Sequence, residues 1–447
     1  MFYAAAFALF ALACTILAFT RHPIYGLYFY LSTTFVFPQG QWWGHMFQNL
    51  RLALVAAAVT VIATALHRGK LNPKVFWLAN APAAILSVYA LLMWLQTPWA
   101  LDLESHLDGS IYIVKYLLAF WFVYRIVDSK EKLRDLLLAL TLGCGLLGVY
   151  AALVGRDGDR LDGVGGPGID DSNTLGMYLA TGAIIAVGLV LSQKGWRRYL
   201  SLACLPVIAN AIVLANSRGS FVGLVAGGLM LAFVKAREHR WAFWSLALVS
   251  ALALVAIVDQ AFIDRMFTIH AVSTEDEEAD ASARSRVVVA EAQIRMFKDH
   301  PMGTGHRGTA ALSARYLDPK WLANGPADEE RARSSHNTFL TTLVEQGLPG
   351  ALLYAGLVLW ILLAGYRIRR LNRRSGDPEL ITLGGATCAG LTVIFVSGNT
   401  ADYLLVENQF WLFAALVCML QMSAAGERAR GAYGAAAAAA STRRIAA

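Results

Sequence analysis

Charge is what this sequence has least of. Only 15% of its 447 residues are Asp, Glu, Lys or Arg, against about a quarter in ordinary soluble domains. Cysteine is sparse too. Cys14, Cys144, Cys204, Cys388 and Cys418 all lie in apolar stretches, and none stands in a CxxC or other metal spacing. That argues against a disulfide framework or a thiolate metal site and leaves them as small packing residues. The first twenty residues lack a basic leader and a convincing cleavage site, so they read as a retained helix and not a removed signal peptide. No internal repeat is visible along the chain.

Long apolar runs take the place of charge. Hydrophobic residues make up 57% of the chain. They fall in blocks at 2–20, 24–38, 51–66, 75–96, 111–127, 135–154, 174–192, 199–215, 219–235, 241–258, 348–365, 379–397 and 408–424. About 18–20 apolar residues cross ~30 Å of hydrocarbon, and in lipid each backbone polar group must be satisfied within its own segment, so these blocks must be helices. The expected fold is all-α: a polytopic membrane protein of about 12 transmembrane helices. Block 24–38 is the weakest span, because it is short and carries Tyr25, Tyr28, Tyr30, Ser32, Thr33 and Thr34. Counting it puts Met1 outside; without it as a full crossing, both chain ends lie inside.

A net charge of +7 would suggest nucleic acid in a soluble protein. Here Lys and Arg concentrate in the short connections 21–22, 67–70, 130–134, 194–198, 235–240 and 367–374, so topology explains them and no nucleic-acid partner is expected. The positive-inside rule makes these connections cytoplasmic. Segments 39–50, 97–110, 155–173, 216–218, 259–347 and 398–407 then face out. Segment 259–347 is far longer than the ~12–15 residues of an ordinary loop, which marks it as functional. It holds an acidic run at 275–280, then a helix expected over 281–298 with an apolar face from Val287, Val288, Ala290, Ile294 and Met296. His300-Pro301 should stop that helix, and Gly303-Thr304-Gly305 should turn the chain. The expected organisation is N-terminal transmembrane helices over 1–258, a large periplasmic loop with short helices over 259–347, C-terminal transmembrane helices over 348–425, and a disordered cytoplasmic tail over 426–447.

Four features can carry chemistry, and each has a plainer reading beside it. Arg218, in Asn-Ser-Arg-Gly-Ser at 216–220, sits in a tight outer turn between two apolar blocks. It can snorkel to headgroups or hold a phosphate bidentately. Arg284 and Arg286 open the loop helix and are either solvated or turned inward. His336 stands where the loop re-enters the membrane, in Ser-Ser-His-Asn at 334–337. It is either a general base or part of a helix start, with Asn337 and the Ser334 and Ser335 hydroxyls able to hold its ring. Asp170, Asp171, Ser172 and Asn173 follow a Gly-rich outer loop, where Asp171 or Ser172 can simply cap a helix. His300, His306 and His336 match no standard metal spacing, so no metal is expected.

Together these features resemble the O-antigen ligase and polymerase superfamily of bacterial envelope proteins. The resemblance rests on SRGS at 217–220, SARSR ending in Arg286, KDHPMGTGH from Lys298, and SHNTFLTTLVEQGLPG at 335–350. Asp171 and Asn173 stand at the positions of the family's Asp-x-Asn motif. The resemblance implies a glycosyltransferase of the bacterial inner membrane with its active site on the periplasmic side, using no cofactor, metal or nucleotide. It implies a glycan donor on undecaprenyl pyrophosphate. The acceptor is lipid A–core in the ligase branch, which is favoured, another lipid-linked glycan in the polymerase branch, and a protein hydroxyl in a third. Arg218 and Arg286 then hold the pyrophosphate and His336 takes the acceptor proton, with Asn337, Asp171 and Asn173 in support and inversion at the anomeric carbon. A transporter is the rival from another class, but it would ordinarily show repeats and intramembrane charge, and Lys115 is nearly the only ionisable residue well inside a block.

Overall fold

Every apolar block becomes a helix. The computed structural model describes residues 2–445 except 157–159, 167, 170, 236, 259, 261, 264–276, 323–332, 334 and 374–375; at 237, 253–256, 277–284 and 428–445 it describes the backbone alone. In chain order the helices are α1 (Phe2–Thr20), α2 (Ile24–Phe35), α3 (Leu52–Leu66), α4 (Ala81–Gln96), α5 (Leu103–Ile126), α6 (Lys130–Val154), α7 (Ser172–Ser192), α8 (Trp196–Ala215), α9 (Arg218–Val234) and α10 (Arg240–Ile257). The long polar segment contributes α11 (Glu277–Asp299), α12 (Gly308–Tyr316) and α13 (Thr338–Glu345), and α14 (Gly347–Arg373), α15 (Pro378–Ser397) and α16 (Glu407–Ile445) close the fold. No strand occurs among the described residues.

Among the described residues, nine helices are long and apolar enough to cross a membrane, and Leu52–Leu66, Arg218–Val234 and Arg240–Leu252 are shorter apolar helices. Helix α2 has 12 residues, about 18 Å at 1.5 Å per residue, which is too short to cross ~30 Å of hydrocarbon alone. The tail differs from its expected disorder: the backbone of α16 stays helical to Ile445. The physical reason is composition, since alanine is the best helix former and six stand in a row from Ala435.

Helices α7 and α15 are buried on nearly every side and form the centre, whereas α1 is mostly uncovered. Its exposed Leu9, Leu12 and Ile16, with Leu54 on α3, are large apolar side chains facing outward, as lipid contact requires. Small residues let α9 lie against α15. A Cβ on Gly223 would stand 2.8 Å from the Val393 carbonyl oxygen, and one on Gly227 would stand 3.0 Å from that of Ala389. With Gly219 these form a stripe at every fourth residue, the small-xxx-small arrangement that permits close helix approach. Ser397 Oγ donates to the Gly219 carbonyl at 3.1 Å and fixes the register. The residue beside that contact is Arg218.

Loop helix α11 begins and ends near its expected bounds; of its expected apolar face, Met296 is buried and Val288 packs on the same layer, whereas Val287 and Ile294 do not. Val289, Ala292, Gln293 and Met296 are buried, while Val287 and Ile294 are 58% and 44% exposed. The spacing 285, 289, 292, 296 is the true helical stripe. It packs with Leu312, Leu317 and Val344 into a small apolar layer.

The connections gather at two ends of the bundle. At one end, Asn72 N donates to Asp128 Oδ2 (2.9 Å), Lys130 pairs with Asp377 and Glu379 (3.0 and 2.9 Å), Arg197 pairs with Asp135 (3.2 Å), and Gln193 donates to Glu379 (3.0 Å). At the other end, Arg160 and Ser217 meet at Asn173, Gln293 meets Ser335, Thr338 meets Gly398 and Ala401, and Ser397 meets Gly219.

Candidate functional site

The second end is built outward from Asp171 and Asn173. Asp171 Oδ1 caps α7, accepting from Asn173 N at 2.9 Å and Thr174 N at 3.1 Å, so its role is the plainer one of a helix cap. Asn173 has more to do. Its Oδ1 accepts from Arg160 Nη2 and from Ser217 Oγ, both at 3.0 Å, and its carbonyl accepts from Ser220 Oγ at 3.0 Å. One amide therefore anchors Arg160 and ties down the turn before Arg218. Asn216 in that turn is left-handed (φ 49°), a conformation asparagine tolerates better than most residues. Ser217 then caps α9, and Arg218 is its first residue.

His336 is held in place by the two ends of α13. Asn337 Oδ1 accepts from Leu340 N at 3.0 Å and caps the helix, while Thr338 N donates to the Gly398 carbonyl at 2.7 Å. Thr338 Oγ1 donates to the Ala401 carbonyl and accepts from Tyr403 N, both at 2.9 Å. Asn337 thus supports His336 by fixing the helix start, not by gripping the ring. Ser335 Oγ is drawn to Gln293 Oε1 at 3.1 Å. At the far end of α13, Thr304 N and Gly305 N donate to the Glu345 carbonyl at 3.0 and 2.9 Å, which satisfies carbonyls a helix end leaves orphaned. Gly303 (φ 88°) and Gly347 (φ 68°) make this crossing possible; a Cβ on Gly347 would lie 2.6 Å from Gly303 N. The Gly-Thr-Gly and Gln-Gly-Leu-Pro-Gly motifs are therefore one clamp on α13. His306 is engaged there with Glu345 at 3.2 Å. Among the described residues no three His, Cys, Asp or Glu side chains group as a metal site would need.

The charges of Arg286 and Arg160 act on both Arg218 and His336, which puts these residues in one neighbourhood. Arg286 is exposed on one side, yet partial burial, then the charges of Arg160 and Arg333, hold its guanidinium below the usual arginine value. His336 titrates below the ordinary histidine range: partial burial comes first, then the charges of Arg333, Arg286 and Arg160, with Asp171 pulling the other way. His336 also keeps an exposed surface, and the three guanidiniums act in the same direction as its partial burial. The ring is neutral at pH 7 and able to accept a proton.

Two members of this cluster were not singled out from the sequence. Arg160 sits in the Gly-rich loop before Asp171, and Arg333 lies three residues before His336, its Nη2 donating to Ser285 Oγ at 2.9 Å. No local signal separates them among the arginines of the outward segments, eight of which lie in 259–347 alone. Asp170, Ser334 and the start of the 275–280 acidic run lie outside the described residues, and only the backbone of Arg284 is described.

Among the described residues no carboxylate forms an ion pair with Arg160, Arg218, Arg286 or Arg333. The Nε atoms of Arg160, Arg218 and Arg333 are buried without a hydrogen-bond partner. Buried donors left unmet cost about 1–3 kcal/mol each. A cluster of this kind is suited to an anion with several oxygens, beside a neutral base.

Residues 204–355 match the family model described as O-antigen ligase. That stretch, about a third of the chain, includes Arg218, Arg286, Arg333 and His336. No curated protein matches the chain.

Proposed function

We propose that this protein is an O-antigen ligase, which transfers a glycan from undecaprenyl pyrophosphate to lipid A–core at the periplasmic face of a bacterial inner membrane. The family carries glycosyltransferase-type activity on lipid-linked glycans; the donor, acceptor and side of the membrane are our reading. The convergence of Arg218, Arg286 and His336 at one end of the bundle carries it. Both substrates are anchored in lipid, and a site at a bundle end lets both reach it from the membrane plane. A transporter site would ordinarily lie near the bilayer midplane, so the placement favours an enzyme.

In the proposed reaction an acceptor hydroxyl attacks the anomeric carbon on the face opposite the pyrophosphate. A C–O bond forms to the acceptor while the bond from the anomeric carbon to the phosphate oxygen breaks, inverting the centre. The bonding pair leaves with undecaprenyl pyrophosphate, which gains a negative charge. Arg218 and Arg286 stabilise that charge, an interaction stronger in the transition state than in the ground state. A ring nitrogen of His336 takes the hydroxyl proton, worth a factor of roughly 10²–10⁴. Asp171, Asn173 and Asn337 hold these residues in place.

The deciding experiment mixes purified protein with lipid-linked glycan and lipid A–core, without ATP and in EDTA. Transfer to the core, seen as a mass increase equal to the glycan, is expected. Transfer only to a second lipid-linked glycan would replace the ligase reading with the polymerase one. Activity lost in EDTA and restored by magnesium or manganese would reveal a metal requirement.

A further inference from the structure

The arginine cluster is larger than the pair the reaction above uses, and it comes from two separate parts of the fold. Arg160, held by Asn173 at 3.0 Å, and Arg218, on α9, belong to the helical bundle. Arg286, on α11, and Arg333, held by Ser285 at 2.9 Å, belong to the loop layer. Gln293 adds an independent observation. It is 1% exposed, its Oε1 is engaged by Ser335, and its Nε2 is buried with no partner. Gln293 lies seven residues after Arg286, two turns along the same face of α11. The buried and unpartnered donors of Arg160, Arg218, Arg333 and Gln293 thus lie on the elements that meet at this cluster.

Electrostatics asks the same question. Arg160 and Arg286 act on Arg218, Arg160 and Arg333 act on Arg286, and Arg160, Arg286 and Arg333 act on His336, with no carboxylate paired to any of the four among the described residues. Two would suffice to balance a pyrophosphate diester, which carries one negative charge per phosphate. The pyrophosphate released by transfer carries more charge than the diester. A four-arginine site therefore favours the departing state over the arriving one, which is the direction catalysis needs.

We propose that Arg160 and Arg333 complete, with Arg218 and Arg286, a four-guanidinium diphosphate site. This rests on the donor reading above. The anion would bridge bundle and loop.

The probe is inorganic pyrophosphate, titrated calorimetrically into the full-length protein in detergent and compared with inorganic phosphate. The wild type should bind pyrophosphate more tightly than phosphate. Arg160→Ala and Arg333→Ala should each weaken pyrophosphate binding at least tenfold, with Arg→Lys intermediate because the planar fork is lost. Lys130→Ala, at the opposite end, should bind like wild type. If an alanine variant melts well below wild type, its lysine counterpart decides. Affinity within twofold of wild type for either Arg160→Ala or Arg333→Ala overturns the four-arginine site while leaving the donor reading intact. A wild type that binds no pyrophosphate sinks both.

Discussion

The two ends of the bundle treat the same residue type in opposite ways. At the end with the basic connections, Lys130, Lys132, Arg134 and Arg197 each have a carboxylate within 4 Å. At the other end, Arg160, Arg218, Arg286 and Arg333 crowd together without one among the described residues, and three of them bury an unmet Nε. Paired cations seal a surface. Unpaired cations held close by the fold store repulsion that an anion can relieve. The lesson is that the absence of a partner, more than the presence of an arginine, marks the working end.

Removing the base should break this comparison most severely. His336→Gln keeps a hydrogen-bonding group but cannot accept a proton at pH 7. Turnover should fall by about two to four orders of magnitude, measured as initial rate of glycan transfer, while pyrophosphate binding survives. Near-normal turnover would make His336 a structural residue and send the search for the base to nearby carboxylates.

Next come the cations themselves. Arg218→Ala or Arg286→Ala should each weaken donor binding by about 1.5–3 kcal/mol, roughly ten- to a hundredfold, as expected for hydrogen bonds to charged groups. Arg→Lys should rescue poorly. At the sealed end, Lys130→Ala should cost under about 1 kcal/mol of stability and leave transfer unchanged, because the Lys130–Asp377 pair is 40% exposed on both sides and such pairs are weak. Equal losses of activity from both ends would erase the distinction drawn between them.

A third change separates the scaffold from the chemistry. Gly223→Leu forces a side chain against the Val393 carbonyl and Ser397. Overpacking of this kind costs typically ~1–3 kcal/mol, and it pushes α9 and Arg218 off α15. The melting temperature should drop and donor affinity with it. A variant that melts like wild type would show that the α9–α15 seam yields without cost.

Much of this fold is legible in one sequence, because membrane helices declare themselves through uninterrupted apolar length. All thirteen apolar blocks hold a helix, and the stop at His300-Pro301 and the turn after it are where the sequence puts them. What was not legible depends on three-dimensional neighbours. The face α11 buries was legible in Met296 and Val288 but not in Val287 and Ile294, which look like core residues until the layer proves to be centred on Val289, Ala292 and Met296. Arg160 and Arg333 were missed because nothing local distinguishes them. Arg160 becomes informative only when Asn173 draws it toward Ser217, and Arg333 only when Ser285 holds it beside Arg286. Asp171 and Asn337 were legible as cap-type residues, and caps they are.

The smallest effect is the most diagnostic of the unpaired end, because it reads the arginine field through the base. His336 titrates below the usual histidine value of about 6.5, with burial first and the charges of Arg333, Arg286 and Arg160 next. The sign follows directly. Positive neighbours disfavour the imidazolium, so the ring stays neutral, and competent as a base, to a lower pH than a free histidine. The acid limb of kcat/KM, which reports the free enzyme, should therefore fall below pH 6.5. Arg333→Ala removes a positive charge, so the same limb should move to higher pH. Donor binding introduces negative charge beside the same arginines and should act in the same direction. The acid limb of kcat, which reports the bound complex, should thus lie above that of kcat/KM. Two limbs that coincide, together with no shift in Arg333→Ala, would mean that the arginines and His336 do not share one electrostatic site.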